Sequence, residues 1–221
     1  MNAKGCVGFM ESMVIHGEKP YAKFFGALFL GLLVATFGLF VGQSVPKPLF
    51  LPLFIVEIVM IILMISARKH KAIGYGMMFA FMFVSGLTLF PAISYYISTL
   101  GGLTVLRAFA ISAFAFGGTA AYAMISKHDF RFLGSFLFVS VIALIGMGIL
   151  QFFFPFSNTA ELVFSAFGIL IFVGYTLYDF SRLTIEGFAE RDIPLIVVCI
   201  YLDLVNLFLY ILQFIGVINR D

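Results

Sequence analysis

The chain alternates between long apolar runs and short polar breaks, and each run is about as long as a bilayer crossing. Seven such runs stand out. They predict helices at about Phe24–Gly42, Leu51–Ala67, Ala72–Phe90, Leu103–Ser126, Phe132–Phe154, Glu161–Ser181 and Pro194–Val217. A helix needs about 20 apolar residues to cross the hydrocarbon core. Pro91 and Pro155 are read as the stops of the third and fifth helices, because proline cannot continue the hydrogen-bond ladder. The expected fold is an all-α integral membrane protein, a seven-transmembrane-helix bundle. One transmembrane domain takes up residues 1–221, with an N-terminal polar segment at 1–23, helices over about 24–217 and no soluble domain.

Composition agrees with this reading. Of 221 residues, 62% are hydrophobic and 11% charged, and the mean hydropathy is +1.13. So little polar surface cannot cover a soluble domain. A net charge of +2 gives no basis for nucleic-acid binding. Cys6, Cys199, His16, His70 and His128 show no metal-type spacing, and no resident cofactor is expected. The first apolar run follows Lys19 and Lys23, is as long as a span and lacks a small-residue exit. It reads as a retained helix and not as a signal peptide.

The basic residues take sides. Lys4, Lys19, Lys23, Arg68, Lys69, Lys71, Lys127, Arg131, Arg182 and Arg191 fall at one set of helix ends, and only Lys47, Arg107 and Arg220 at the other. The positive-inside rule then puts the N-terminus in the cytoplasm and, after seven spans, the C-terminus outside. Arg107 is read as snorkelling to the outer interface. Small residues at Gly38/Gly42, Gly117/Gly118 and Gly146/Gly148 allow close helix approach. They are read as packing within a monomer, with a dimer seam on the first helix as the alternative.

Against this apolar background, Asp179 and Asp203 stand inside the sixth and seventh runs. A carboxylate within the membrane is costly and faces a bundle interior or a water-filled path. The two lie equally far on either side of Arg191, in the turn Glu190-Arg191-Asp192. A helical hairpin folded there brings them to one depth. Two facing carboxylates tend to share a proton, so the site is expected to respond to pH. Arg68, at the cytoplasmic end of the second helix, is the natural partner, since a guanidinium binds carboxylates bidentately. Glu57 precedes Arg68 by nearly three whole turns and shares its face, about 16 Å nearer the outside. This line of polar points suits a hard cation such as calcium, with Asp179, Asp203 and Glu57 as candidate oxygen ligands and the proton as gating ligand. The plainer reading is that the triad only pins three helices together.

The stretch from Gly168 to Asp179, ending Gly-Tyr-Thr-Leu-Tyr-Asp, and the stretch Tyr201-Leu-Asp-Leu-Val-Asn-Leu-Phe-Leu209 resemble the signature of the transmembrane Bax inhibitor motif family. Phe83-Val-Ser-Gly-Leu-Thr-Leu-Phe-Pro91 resembles it too, and the likeness runs from the first helix to the C-terminus. It implies a bundle with the last helix central, in the manner of the family's bacterial pH-sensitive calcium leak proteins. It also implies a di-aspartyl latch at Asp179 and Asp203, an arginine at Arg68 exchanging between them and a pore glutamate at Glu57. Lys69 and Lys71 are neighbouring candidates for the basic role, and Arg182 departs from the bacterial pattern and could compete for Asp179.

The resulting expectation is a non-enzymatic calcium leak in a bacterial plasma membrane, with calcium ions, protons and the lipid bilayer as its partners. A proton-coupled cation exchanger and a non-transporting interaction protein are the alternatives. An intramembrane aspartyl protease would also carry Tyr178-Asp179. However, Asp203 sits in Leu-Asp-Leu and lacks the Gly-x-Gly-Asp context, and no Pro-Ala-Leu element follows.

Overall fold

A computed structural model describes residues 3–67, 74–126 and 128–220. Among them are seven long α-helices and no strand: α1 (Ala3–Gly42), α2 (Phe50–Ala67), α3 (Tyr75–Leu100), α4 (Gly102–Ser126), α5 (Gly134–Phe153), α6 (Asn158–Glu186) and α7 (Ile193–Ile218). Each contains a stretch long and apolar enough to cross a membrane. The exposed faces carry large apolar side chains such as Phe29, Ile58, Phe114 and Phe138, as lipid-facing helices should. Half of the most apolar stretch of α7 is buried, against 6% for that of α2. The last span is thus the most buried of the seven.

Several boundaries differ from the sequence reading; α6, for one, runs on to Glu186, past the expected end at Ser181. The helix expected to stop near Pro91 runs through it to Leu100. Proline removes only one ladder bond, whereas unwinding the chain in hydrocarbon would orphan several backbone groups. The actual stop is Gly101, whose φ of +82° is the left-handed conformation that glycine adopts cheaply. At the other end of the chain, α1 starts at Ala3, so the polar segment ahead of the span continues the same helix. Hydropathy registers only the apolar part, from Tyr21 to Gly42.

The chain divides into two compact units, residues 1–90 with 187–199 and residues 91–186 with 200–221. In the first unit, α1 and α3 meet through glycine. A Cβ at Gly38 would strike the carbonyl of Phe83, and one at Gly86 the carbonyl of Ala35. Gly42 lies as closely against Phe90. The Gly38/Gly42 pair therefore serves packing within the chain. The α6–α7 turn belongs to this unit as well. Lys23 Nζ bonds Glu190 Oε1 at 2.6 Å, and Phe188 packs edge-on against Tyr21 and Phe24.

In the second unit α6 packs against α4 and α5. Its core is built from Val105 and Ala108 of α4, Leu137 and Leu144 of α5, Phe164 and Phe172 of α6, and Leu207 and Leu212 of α7. Gly168 leaves room for the Tyr210 ring and Gly174 for Leu137. Buried hydroxyls satisfy themselves along their own helices: Ser112 donates to Ala108 O at 2.7 Å and Thr176 to Phe172 O at 2.8 Å. Gly117, Gly118, Gly146 and Gly148 have open space where a Cβ would sit. The packing role expected of them is not theirs within the chain.

Candidate functional site

The hairpin of α6 and α7 brings Asp179 and Asp203 together within the second unit. Their carboxyl groups lie close enough for each to feel the other's charge. Asp203 is 5% exposed, and its Oδ2 is buried with no hydrogen-bond partner among the described residues. Asp179 is half-buried. An ionised carboxylate only accepts, so one hydrogen bond between two carboxyls requires one shared proton. Without that proton two like charges would stand in contact away from water, at a cost of several kcal/mol per ion. The arrangement therefore has two electrostatic states that differ by one proton. Tyr175, one turn before Asp179, feels the charge of both carboxylates, and its ring stacks on Phe172 at 5.9 Å.

A string of alternating charges, invisible in the sequence, leads away from this pair. Arg182 follows Asp179 by three residues on α6, a spacing that puts both on one face, and its charge acts on Asp179. Its Nε, however, bonds Glu186 Oε2 at 3.0 Å. Glu186 Oε1 accepts a second bond from Arg131 Nη1 at 3.2 Å. Arg131 in turn grips Asp129 through Nε at 2.9 Å and Nη2 at 2.8 Å. These bonds, with that from the Arg131 N–H, hold the Asp129 carboxyl down to about 2. Ser181, fully buried, fixes the same turn to α6, donating to His128 O at 3.0 Å and accepting from Phe130 N–H at 3.1 Å. The α4–α5 turn is thereby stitched to α6 beside Asp179. The competition of Arg182 for Asp179 is restrained, because Glu186 already holds the guanidinium.

Glu57 lies in the first unit, half-buried on α2. Its Oε2 is 2.6 Å from Thr88 Oγ1 on α3, and the same hydroxyl is 2.9 Å from Ser85 O. The single Thr88 proton can serve only one of these acceptors at a time. This is the polar tie between α2 and α3. Arg68, Lys69 and Lys71 lie outside the described residues, so the arginine partner expected from the sequence has no described position. Arg107 is exposed on α4.

Among the described residues no three Asp, Glu, His or Cys side chains converge as a metal cage. The carboxylate pair supplies four oxygens, short of the roughly six to eight that calcium takes.

Seven membrane-length helices, with two neighbouring carboxyls on the last two, define an integral, multi-pass, all-α membrane protein. Comparison with known proteins places it further. The family model described as "Inhibitor of apoptosis-promoting Bax1" matches residues 18–221, and the chain belongs to this Bax inhibitor family. An uncharacterized protein of Campylobacter jejuni is 34% identical over 196 residues, covering 85% of this chain and 84% of the relative. An uncharacterized protein of Helicobacter pylori is 30% identical over 96% of this chain and 91% of its own length. Bax inhibitor 1 of Schizosaccharomyces pombe is 32% identical over 81% of this chain and 65% of its own length.

Proposed function

We propose that the chain is a passive, proton-gated calcium leak, closed by the Asp179/Asp203 pair. The observation that carries this reading is the approach of the two carboxyls, with Asp203 Oδ2 buried and without a hydrogen-bond partner among the described residues. Such a contact holds while one proton is shared and loses its bond when that proton leaves. Glu57 supplies a further acidic point for a cation. Arg68 exchanges between the aspartates when the proton is lost. The N-terminus lies in the cytoplasm and the C-terminus outside, in a bacterial plasma membrane. The permeant calcium is the only ion ligand, a monomer is sufficient, and no catalytic step is involved.

The test is calcium flux into liposomes holding the purified chain, from about pH 5 to about pH 8, a range that brackets titration of a strongly interacting carboxyl pair. Flux down the calcium gradient, varying with pH, is the expected result. Calcium driven by a pH gradient alone would make the chain an exchanger. No flux at any pH would return the carboxylates to helix locking.

A further inference from the structure

The second unit carries another polar cluster, at the end away from Asp179. It is built on Glu161, in the first turn of α6, where the helix dipole favours a carboxylate. The turn is fixed locally. Ser157 Oγ accepts from Ala160 N–H at 3.3 Å, and Glu161 N–H donates to Ser157 O at 2.9 Å. The Glu161 side chain is only 16% exposed. Its two oxygens are claimed from two different helices. Gln151 Nε2, near the end of α5, donates to Oε1 at 2.9 Å. Arg220 Nη1, just beyond α7, donates to Oε2 at 2.9 Å. Arg220 Nη2 also reaches the Tyr95 hydroxyl on α3 at 3.4 Å. Gly216 lets α7 close on α3, since a Cβ there would lie 2.9 Å from the Tyr96 ring.

Glu161 and Arg220 together thus join the ends of α3, α5, α6 and α7. In lipid this matters more than in water. Helices have little hydrophobic reason to stay together there, and polar bonds and close packing hold them. From Glu161 to Asp179, α6 runs about 27 Å at its usual rise. Helices α6 and α7 are therefore pinned at one end by Glu161 and Arg220 and meet at a distance through Asp179 and Asp203.

We infer that the Glu161–Arg220 pair is a strap that keeps the calcium path closed at the end opposite the carboxylate pair, so that ions pass only when both ends release. This rests on the ion-path reading above. The strap sets how often the far end opens, and the carboxylate pair sets the response to pH. Cutting the strap changes the size of the flux and leaves its pH midpoint in place.

The experiment compares wild type, Arg220→Gln and Arg220→Lys in liposomes. In parallel, spin labels at Thr159 and Ile218 report the spacing of the α6 and α7 ends, in a chain whose Cys6 and Cys199 are replaced by serine. Arg220→Gln should raise calcium flux about tenfold, the population shift that follows from losing one charge-assisted bond. Its pH midpoint should stay fixed and its label distances should broaden. Arg220→Lys retains the charge and one bond, and should stay within about twofold of wild type. Unchanged label distances in Arg220→Gln overturn the strap. Broadened distances with unchanged flux, in a conducting wild type, overturn its role as a closure. If wild type carries no calcium at any pH, the ion-path reading fails and the gating role fails with it. The label distances still decide whether the pair holds the helix ends.

Discussion

Asp203 is a buried carboxylate beside Asp179, and its Oδ2 has no hydrogen-bond partner among the described residues. Folding alone does not explain such an arrangement, since an apolar residue of similar volume would avoid the desolvation. Asp203→Asn keeps the single negative charge of a shared-proton pair and replaces the shared proton with an amide N–H that can donate to Asp179. At about pH 8, where the wild-type pair has lost its shared proton, the variant should be more stable by about 1–3 kcal/mol, the usual worth of satisfying a buried charged acceptor, as read by thermal melting in a fixed detergent. A lower melting temperature would mean that Asp203 has a cationic partner at rest. The surface charges behave differently. Asp129 is held at about 2, below its ordinary 3.8, chiefly by the Arg131 side chain. A lowered folded value means that its contribution is complete above the ordinary value and is lost as pH falls toward about 2. A carbon-13 titration of the Asp129 carboxyl should therefore show a midpoint near 2. A midpoint at 3.8 would show that the Arg131 grip is absent in solution.

Among the helices, glycine placement separates packing from lipid-facing surface. Gly86 and Gly38 bring two backbones together, whereas Gly117 faces open space. Gly86→Val should destabilise the chain by about 1–3 kcal/mol, because backbone cannot yield as a flexible side chain can. Gly117→Ala should be neutral or stabilising by up to about 1 kcal/mol through helix propensity. Unfolding in mixed micelles would check both, and equal effects would contradict this division. The same glycines mark where sequence reading works and where it stops. Gly38 and Gly117 both belong to glycine pairs within apolar runs, and the sequence does not show which neighbour each meets. Helix cores were legible because hydropathy averages over a whole span. Helix ends were not, because residues 182–186 of α6 are polar on the outside yet still helical, and because Pro91 obeys a rule learned in water. The Asp179/Asp203 contact was legible from a symmetric spacing about one turn. The pairs Arg131–Glu186 and Glu161–Arg220 join residues more than fifty positions apart, and no local pattern in the chain marks them as partners.

For the molecule as a whole, the seven spans and the family place it in a membrane, and the chemistry of the last two helices suggests what it does there. The charged residues fall into separate groups: the shared-proton pair, the string from Asp129 to Arg182 beside it, the Glu57–Thr88 tie in the other unit, and the cluster around Glu161. In the first, two acids face each other, so a single proton decides whether they bond or repel, and the gating claim stands or falls on it. The most direct measurement is calcium flux into liposomes, from about pH 5 to about pH 8, for wild type beside Asp203→Asn and Asp179→Asn. Flux that follows pH in wild type and is flat with pH in both variants is the expected result. A pH response that survives unchanged in either variant would remove the carboxylate pair from the gate.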